Sequence, residues 1–203
     1  MSEPTSVPAA AVKRLRDLTG AGMMDCKKAL TEAEGDLDKA QEILRTKGLA
    51  GVEKRKGRTA SQGIVDAYIH AEGRIGVLVE VNTETDFVAR TDEFRSLAHE
   101  IALQVAAGDP RWVDREDVPE DVVSSERKIA EEKARQEGKP EHILERIVDG
   151  AVESFYKKFV LVEQAYVREP SKTIKQLVDE TAAKVGENVV VRRFTRYQLG
   201  EEA

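Results

Sequence analysis

At 203 residues, 40% of them hydrophobic and 34% charged, the chain can build one large domain or two small ones, with a modest core under a heavily charged surface. A net charge of -6 argues against broad nucleic-acid binding, which needs basic surface to release counterions, although Glu53-Lys54-Arg55-Lys56-Gly57-Arg58 is a local basic patch. The single cysteine excludes an intrachain disulfide framework and fits a reducing, cytosolic compartment, and neither a run of ~18 apolar residues nor a signal-peptide pattern in Met1-Ser2-Glu3-Pro4-Thr5-Ser6 is present.

Three short helical patterns fill the first fifty residues. The first, 9–18, places Ala11, Leu15 and Leu18 on one face and breaks at Gly20-Ala21-Gly22. The second, 23–34, spaces Met23, Cys26, Leu30 and Ala33 helically and stops at Gly35, the residue type expected just past a helix C-terminus. Asp36 then caps a third helix carrying Leu37, Ala40, Ile43 and Leu44, punctuated by Gly48. Three helices with tight glycine joints make a small bundle that buries little surface, as suits a docking module on a larger body. Residues 49–60 are polar and basic and read as a linker or frayed helix.

Two strands follow. Val65, Ala67 and Ile69 alternate with Asp66, Tyr68 and His70, and Ile75, Val77, Val79 and Val81 alternate with Gly76, Leu78, Glu80 and Asn82. The intervening Ala71-Glu72-Gly73-Arg74 has hairpin length. Thr83-Glu84-Thr85-Asp86-Phe87-Val88-Ala89-Arg90 turns the corner into a helix from Asp92, striped with Phe94, Leu97, Ala98, Ile101 and Val105, which stops at Gly108-Asp109-Pro110. Residues 111–121 are acidic and loop-like. Helices at 119–137 and 141–160, joined at Gly138-Lys139-Pro140, form an antiparallel hairpin whose first arm is charged nearly all round. Val160 to Val167 is apolar but of ambiguous type, and Glu169-Pro170-Ser171-Lys172 ends it. Thr173 and Gln176 form a capping-box pattern opening a helix that ends at Gly186, and a last strand spans Asn188 to about Tyr197. The body is therefore α+β, with three antiparallel strands and helices on one side. An uncovered sheet face would need a partner.

No constellation for covalent or acid–base catalysis emerges. His70, His99 and His142 lack zinc-ligand spacing, so no metal site is expected. Cys26 sits on an apolar stripe, as a buried structural thiol does. Gly20-Ala21-Gly22 lacks phosphate-loop spacing and does not follow a strand. Surface residues remain. Met23 and Met24 are adjacent, so only one can face the bundle core well. Phe87 and Asp86 admit two readings. In the first, the aromatic tucks into its own core, as aromatics usually do, and the aspartate caps a turn. In the second, a rigid corner presents them as a wedge to another protein. An adaptor for peptides or ubiquitin-like folds, and an enzyme using Cys26, are the competing functional classes.

Leu15-Arg16-Asp17-Leu18-Thr19-Gly20-Ala21-Gly22-Met23-Met24-Asp25-Cys26-Lys27-Lys28-Ala29-Leu30 resembles the N-terminal signature of bacterial elongation factor Ts. Thr85-Asp86-Phe87-Val88-Ala89-Arg90 is similar to that family's second signature, and Glu169-Pro170-Ser171-Lys172-Thr173 to a third. The resemblance implies a guanine nucleotide exchange factor for elongation factor Tu, met in its GDP-bound and nucleotide-free states, working by binding alone with no cofactor. It implies a ubiquitin-associated-like docking module over 1–54, with Arg16, Met23 and Met24 against the GTPase domain, and an α+β core and dimerisation module over 55–203 that includes the hairpin at 119–160. Thr85, Asp86, Phe87 and Val88 match the segment that dislodges Mg²⁺ from the partner, and His70 resembles a core histidine lying against it. Longer members carry two copies of the sheet-containing core. This chain has residues for one, like short forms that pair through their sheets into a homodimer.

Overall fold

The computed structural model describes residues 7–201; the opening segment read above for a signal peptide lies outside them, as do the last two residues. Helices α1 (Ala9–Thr19), α2 (Met23–Glu32) and α3 (Leu37–Arg55) enclose a core of their own: Val12, Leu15, Cys26, Ala29, Leu30, Ala33 and Ala40. Asp36 caps α3 as its sequence position suggests, its carboxylate accepting from the amides of Asp38 at 3.0 Å and Lys39 at 3.1 Å. The buried face of α1 is Val12 and Leu15, while Leu18 is exposed.

Helix α3 does not end at Gly48. It runs seven residues further, to Arg55, because the extension packs on the body. A Cβ on Gly48 would lie 3.2 Å from that of Ala183, so the glycine permits close helix approach rather than ending the helix. Val52 enters the main core, and Arg55 donates to the Ala182 carbonyl at 3.3 Å. Tertiary burial thus overrides the local breaker signal.

The body is α+β. Strands β1 (Gln62–His70) and β2 (Ile75–Thr83) form an antiparallel hairpin, and β5 (Val190–Gln198) pairs with β2 to give the sheet order β1-β2-β5. The inner face is built by Val77, Val79, Val81 and Val191, with Ile64, Tyr68 and Phe194 packed against it. Helix α5 (Asp92–Gly108) covers it, burying Phe94, Leu97, Ala98, Ile101, Ala102 and Val105 at 3% exposure or less. Each large side chain in that stripe contributes about 1.5–3 kcal/mol of transfer free energy. The apolar side of β1's alternation, Val65 and Ile69, points the other way, and with Leu78 and Tyr197 it lies exposed on the sheet's outer face. Among the described residues, helices therefore cover one side only.

The hairpin is α6 (Glu120–Gln136) and α7 (Glu141–Phe159). At its base Arg115 bridges Glu163 and Glu153, and these hydrogen bonds raise its already high pKa. The ambiguous 160–167 stretch resolves into a 3₁₀ turn, Leu161–Glu163, and strand β3 (Ala165–Tyr166). Glu169-Pro170-Ser171-Lys172 does not simply end that stretch: with Thr173 it forms β4 (Glu169–Thr173), paired to β3 in a second small sheet where a proline in a two-stranded ribbon leaves no interior ladder bond unmade. Helix α8 (Ile174–Val185) opens on the Thr173/Gln176 capping box. Two buried amides join these parts. Gln164 donates to the carbonyls of Gly108 at 2.9 Å and Lys158 at 2.7 Å, and Gln104 donates to Gln164 Oε1 at 2.9 Å.

Gly63, opposite Asn82 in the β1–β2 register, has φ +153, a conformation essentially restricted to glycine. A Cβ there would fall 2.2 Å from the Val81 carbonyl oxygen. Gly63→Ala is expected to destabilise the chain by roughly 1–3 kcal/mol, read as a lower urea midpoint with an unchanged slope. A midpoint equal to that of the parent chain would show that this backbone is not constrained.

Candidate functional site

The site is the corner where β2 leaves the sheet. Thr85 is extended, with φ -125 and ψ 155, and is the N-cap of a four-residue helix, α4 (Asp86–Ala89); its hydroxyl accepts from the Val88 amide at 3.4 Å. The cap is Thr85, not Asp86. Asp86 instead accepts from Arg90 Nη2 at 2.8 Å, one helical turn on, at the surface. Ala89 is buried and Val88 packs half-buried against the core, which anchors the C-terminal half of the turn.

Phe87 is 81% exposed. The reading that tucks it into its own core is therefore incorrect. One α4 turn offers one inward direction, and Val88 and Ala89 occupy it. Phe87 is thus a large apolar side chain left in solvent on a braced turn.

A carboxylate that sequence reasoning missed holds this corner. Glu187 Oε2 accepts from the Thr83 hydroxyl at 2.7 Å and from the amides of Glu84 at 3.1 Å and Thr85 at 3.0 Å; its Oε1 accepts from the Thr85 hydroxyl at 2.6 Å. Burial alone would push this carboxyl up, but the bonds from Thr85 and Thr83 outweigh it and hold the group below the usual carboxylate range. The arrangement is reciprocal. Glu84 accepts from the Asn188 amide at 2.7 Å and pairs with Arg58 Nη1 at 3.4 Å. Asn188 donates its side-chain amide to the carbonyls of Arg58 at 2.8 Å and Lys56 at 3.3 Å. No local pattern could reveal the clasp, since it joins positions about a hundred residues apart; the polar triplet Gly186-Glu187-Asn188 between helix and strand was its one visible trace.

The other expected contact residues lie elsewhere. Arg16 is exposed on α1, and Met23 and Met24, at the start of α2, are 45% and 63% exposed. The bundle core takes neither methionine. With Leu18 they ring the Gly20-Ala21-Gly22 turn, where Gly20, at φ +69, donates its amide to the Arg16 carbonyl at 2.7 Å. Met24 also lines a shallow, mostly apolar surface depression with Lys27, Lys28 and Thr31. His70 ends β1 at the surface, its Nδ1 3.0 Å from the Tyr68 hydroxyl, with the two rings stacked at 5.8 Å. The structure thus brings Thr85 to Val88 together on one corner and leaves Arg16, Met23 and Met24 on the three-helix module. Cys26 is fully buried, and among the described residues no group of three or more His, Cys, Asp or Glu side chains could hold a metal ion. No helix among them is long and apolar enough to cross a membrane.

Nearly the whole chain is similar to proteins of one family. The family profile described as Elongation factor TS matches residues 9–201. The chain is 58% identical over 195 residues to Elongation factor Ts of Thermoanaerobacter sp. (strain X514), covering 96% of each chain. It is 59% identical over 195 residues to that of Coprothermobacter proteolyticus, covering 96% of this chain and 99% of the relative. Against Elongation factor Ts of Anaeromyxobacter dehalogenans the identity is 58%, covering 96% and 89%. With a match running through the three-helix module, the sheet, the corner and the hairpin, this chain belongs to the elongation factor Ts family.

Proposed function

We propose that this chain is a guanine nucleotide exchange factor for elongation factor Tu in translation elongation, working in the cytoplasm by binding alone, without covalent chemistry or a cofactor. The observation that carries the reading is Phe87, exposed on a corner that is braced on both sides. A side chain so placed in a free protein is complementary to something else.

In this reading the module at 1–54 docks first. Arg16, Met23 and Met24 form the contact: unbranched, polarizable methionines adapt to a partner surface, and the guanidinium supplies orientation. The corner then acts. Phe87 enters between elements of the GTPase that flank its Mg²⁺, while the Asp86 carboxylate, poised beside Arg90, disturbs the hydrogen bonds and water shell that hold the metal. Thr85 and Val88 fix the turn. His70 lies against the partner at the hairpin end of the sheet. Mg²⁺ neutralises phosphate charge, so its loss weakens the hold on GDP. The coupling is reciprocal: incoming GTP weakens the factor by as much as the factor weakens the nucleotide, and this releases the complex.

The outer sheet face completes the reading. Val65, Ile69, Leu78 and Tyr197 form an apolar patch with no covering layer among the described residues, and a second copy of the same face supplies one. The core over 55–203 thereby doubles as the dimerisation module.

Stopped-flow release of labelled GDP from elongation factor Tu tests the wedge. Asp86→Ala with Phe87→Ala is expected to slow stimulated release by about tenfold or more, equivalent to at least ~1.4 kcal/mol. An unchanged rate would falsify the assignment. Met24→Ala is expected to raise the half-saturating concentration about tenfold with little effect on the rate at saturation; the reverse pattern would exchange the roles of module and corner. Leu78→Asp puts a charge in the proposed dimer face and is expected to give a monomer by sedimentation at concentrations where the parent is dimeric. An unaltered sedimentation coefficient would assign the patch another use.

A further inference from the structure

The wedge presents a physical problem. Phe87 has almost no packing of its own, so its position depends on the backbone beneath it. That backbone leaves the sheet at Thr83, and the next two amides need partners from outside the ladder. Glu187 meets this need with one carboxylate, taking two amides and two hydroxyls from three consecutive residues.

We propose that Glu187 is a positioning residue for nucleotide exchange: its clasp on Thr83, Glu84 and Thr85 presents Asp86 and Phe87 in one orientation, and Asn188 ties the same corner to the segment behind the docking helices. The proposal rests on the exchange reading given above. Glu187 does not reach the partner's nucleotide site; it acts through the corner. The backbone under an exposed side chain on a mobile loop loses its freedom at the moment of insertion, whereas a clasped backbone has lost it on folding. The second half of the clasp has a direction too. Glu84 accepts from the Asn188 amide at 2.7 Å, and Asn188 Nδ2 bonds the carbonyls of Lys56 and Arg58, just past the end of α3. The wedge is thereby fixed relative to the helix that carries the docking module.

The test compares the full chain with Glu187→Ala and Glu187→Gln in GDP release from elongation factor Tu across factor concentrations. It is paired with amide hydrogen exchange of the free proteins. Glu187→Ala is expected to lower the plateau rate by up to about tenfold, no more than removal of the two side chains it positions, with an unchanged half-saturating concentration. Glu187→Gln keeps one accepting oxygen and should lose less. In both, the amides of Glu84 and Thr85 should exchange faster while those of Val79 and Val81 stay protected. A role in stability alone would lower the unfolding midpoint without this split. The proposal is overturned by a parental plateau in either variant, or by a loss confined to half-saturation. Should Glu187→Ala not fold, Glu187→Gln decides on the same criteria. If the parent chain itself does not accelerate release, the exchange reading and with it this role are both withdrawn, while the exchange rates still report whether the clasp holds the corner.

Discussion

Burial of one stripe of α5 against a three-stranded sheet is the constraint on which the rest of the body depends. Three strands make a small layer, and among the described residues the layer is covered on one face only. Phe94, Leu97, Ile101 and Val105 fix where the helix lies, and the helix fixes how β2 must leave the sheet to reach it. The turn between them, residues 84–91, therefore has both ends set by the core. A short connection under that condition has little freedom, which is why a four-residue helix with an exposed aromatic can persist there.

Much of this was legible in the sequence. The period-2 runs in β1 and β2, the helical stripe of α5, the Asp36 cap and the Thr173/Gln176 box all correspond to features of the structure, because each is set by neighbours in the chain. What was not legible is long-range. Gly48 carries a stop signal that burial of Val52 overrules. Pro170 reads as a break, yet it sits in a ribbon short enough to tolerate it. The alternation in β1 gives a period but not a direction, and the direction decides whether Val65 and Ile69 are core or surface.

The same division runs through the site. The signatures containing Met23, Met24 and Asp86-Phe87 single out three large apolar side chains that the structure leaves exposed, whereas local chemistry alone would have buried Phe87. Glu187 and Asn188 carry no comparable mark, because their partners lie on another strand and beyond the end of α3. In the exchange reading, the side chains that meet the partner are found by motif, whereas those that hold them in place are found by hydrogen-bond accounting. The polar bonds at this corner are each modest in energy. Their concentration on one carboxylate matters because it leaves the backbone one arrangement rather than several.

The continuity of α3 has a consequence for recognition. Its 19 residues span about 28 Å at the usual rise, from the core of the three-helix module into the core of the body. A flexible tether would give the second contact a local concentration spread over a volume. A helix braced at its far end turns that volume into nearly a point, so in the exchange reading the two proposed contacts act like the two feet of a caliper. In the exchange reading, selectivity then resides in spacing as well as in surface chemistry. A GTPase with both complementary patches, but set at a different separation, would be gripped by one foot and left with its nucleotide.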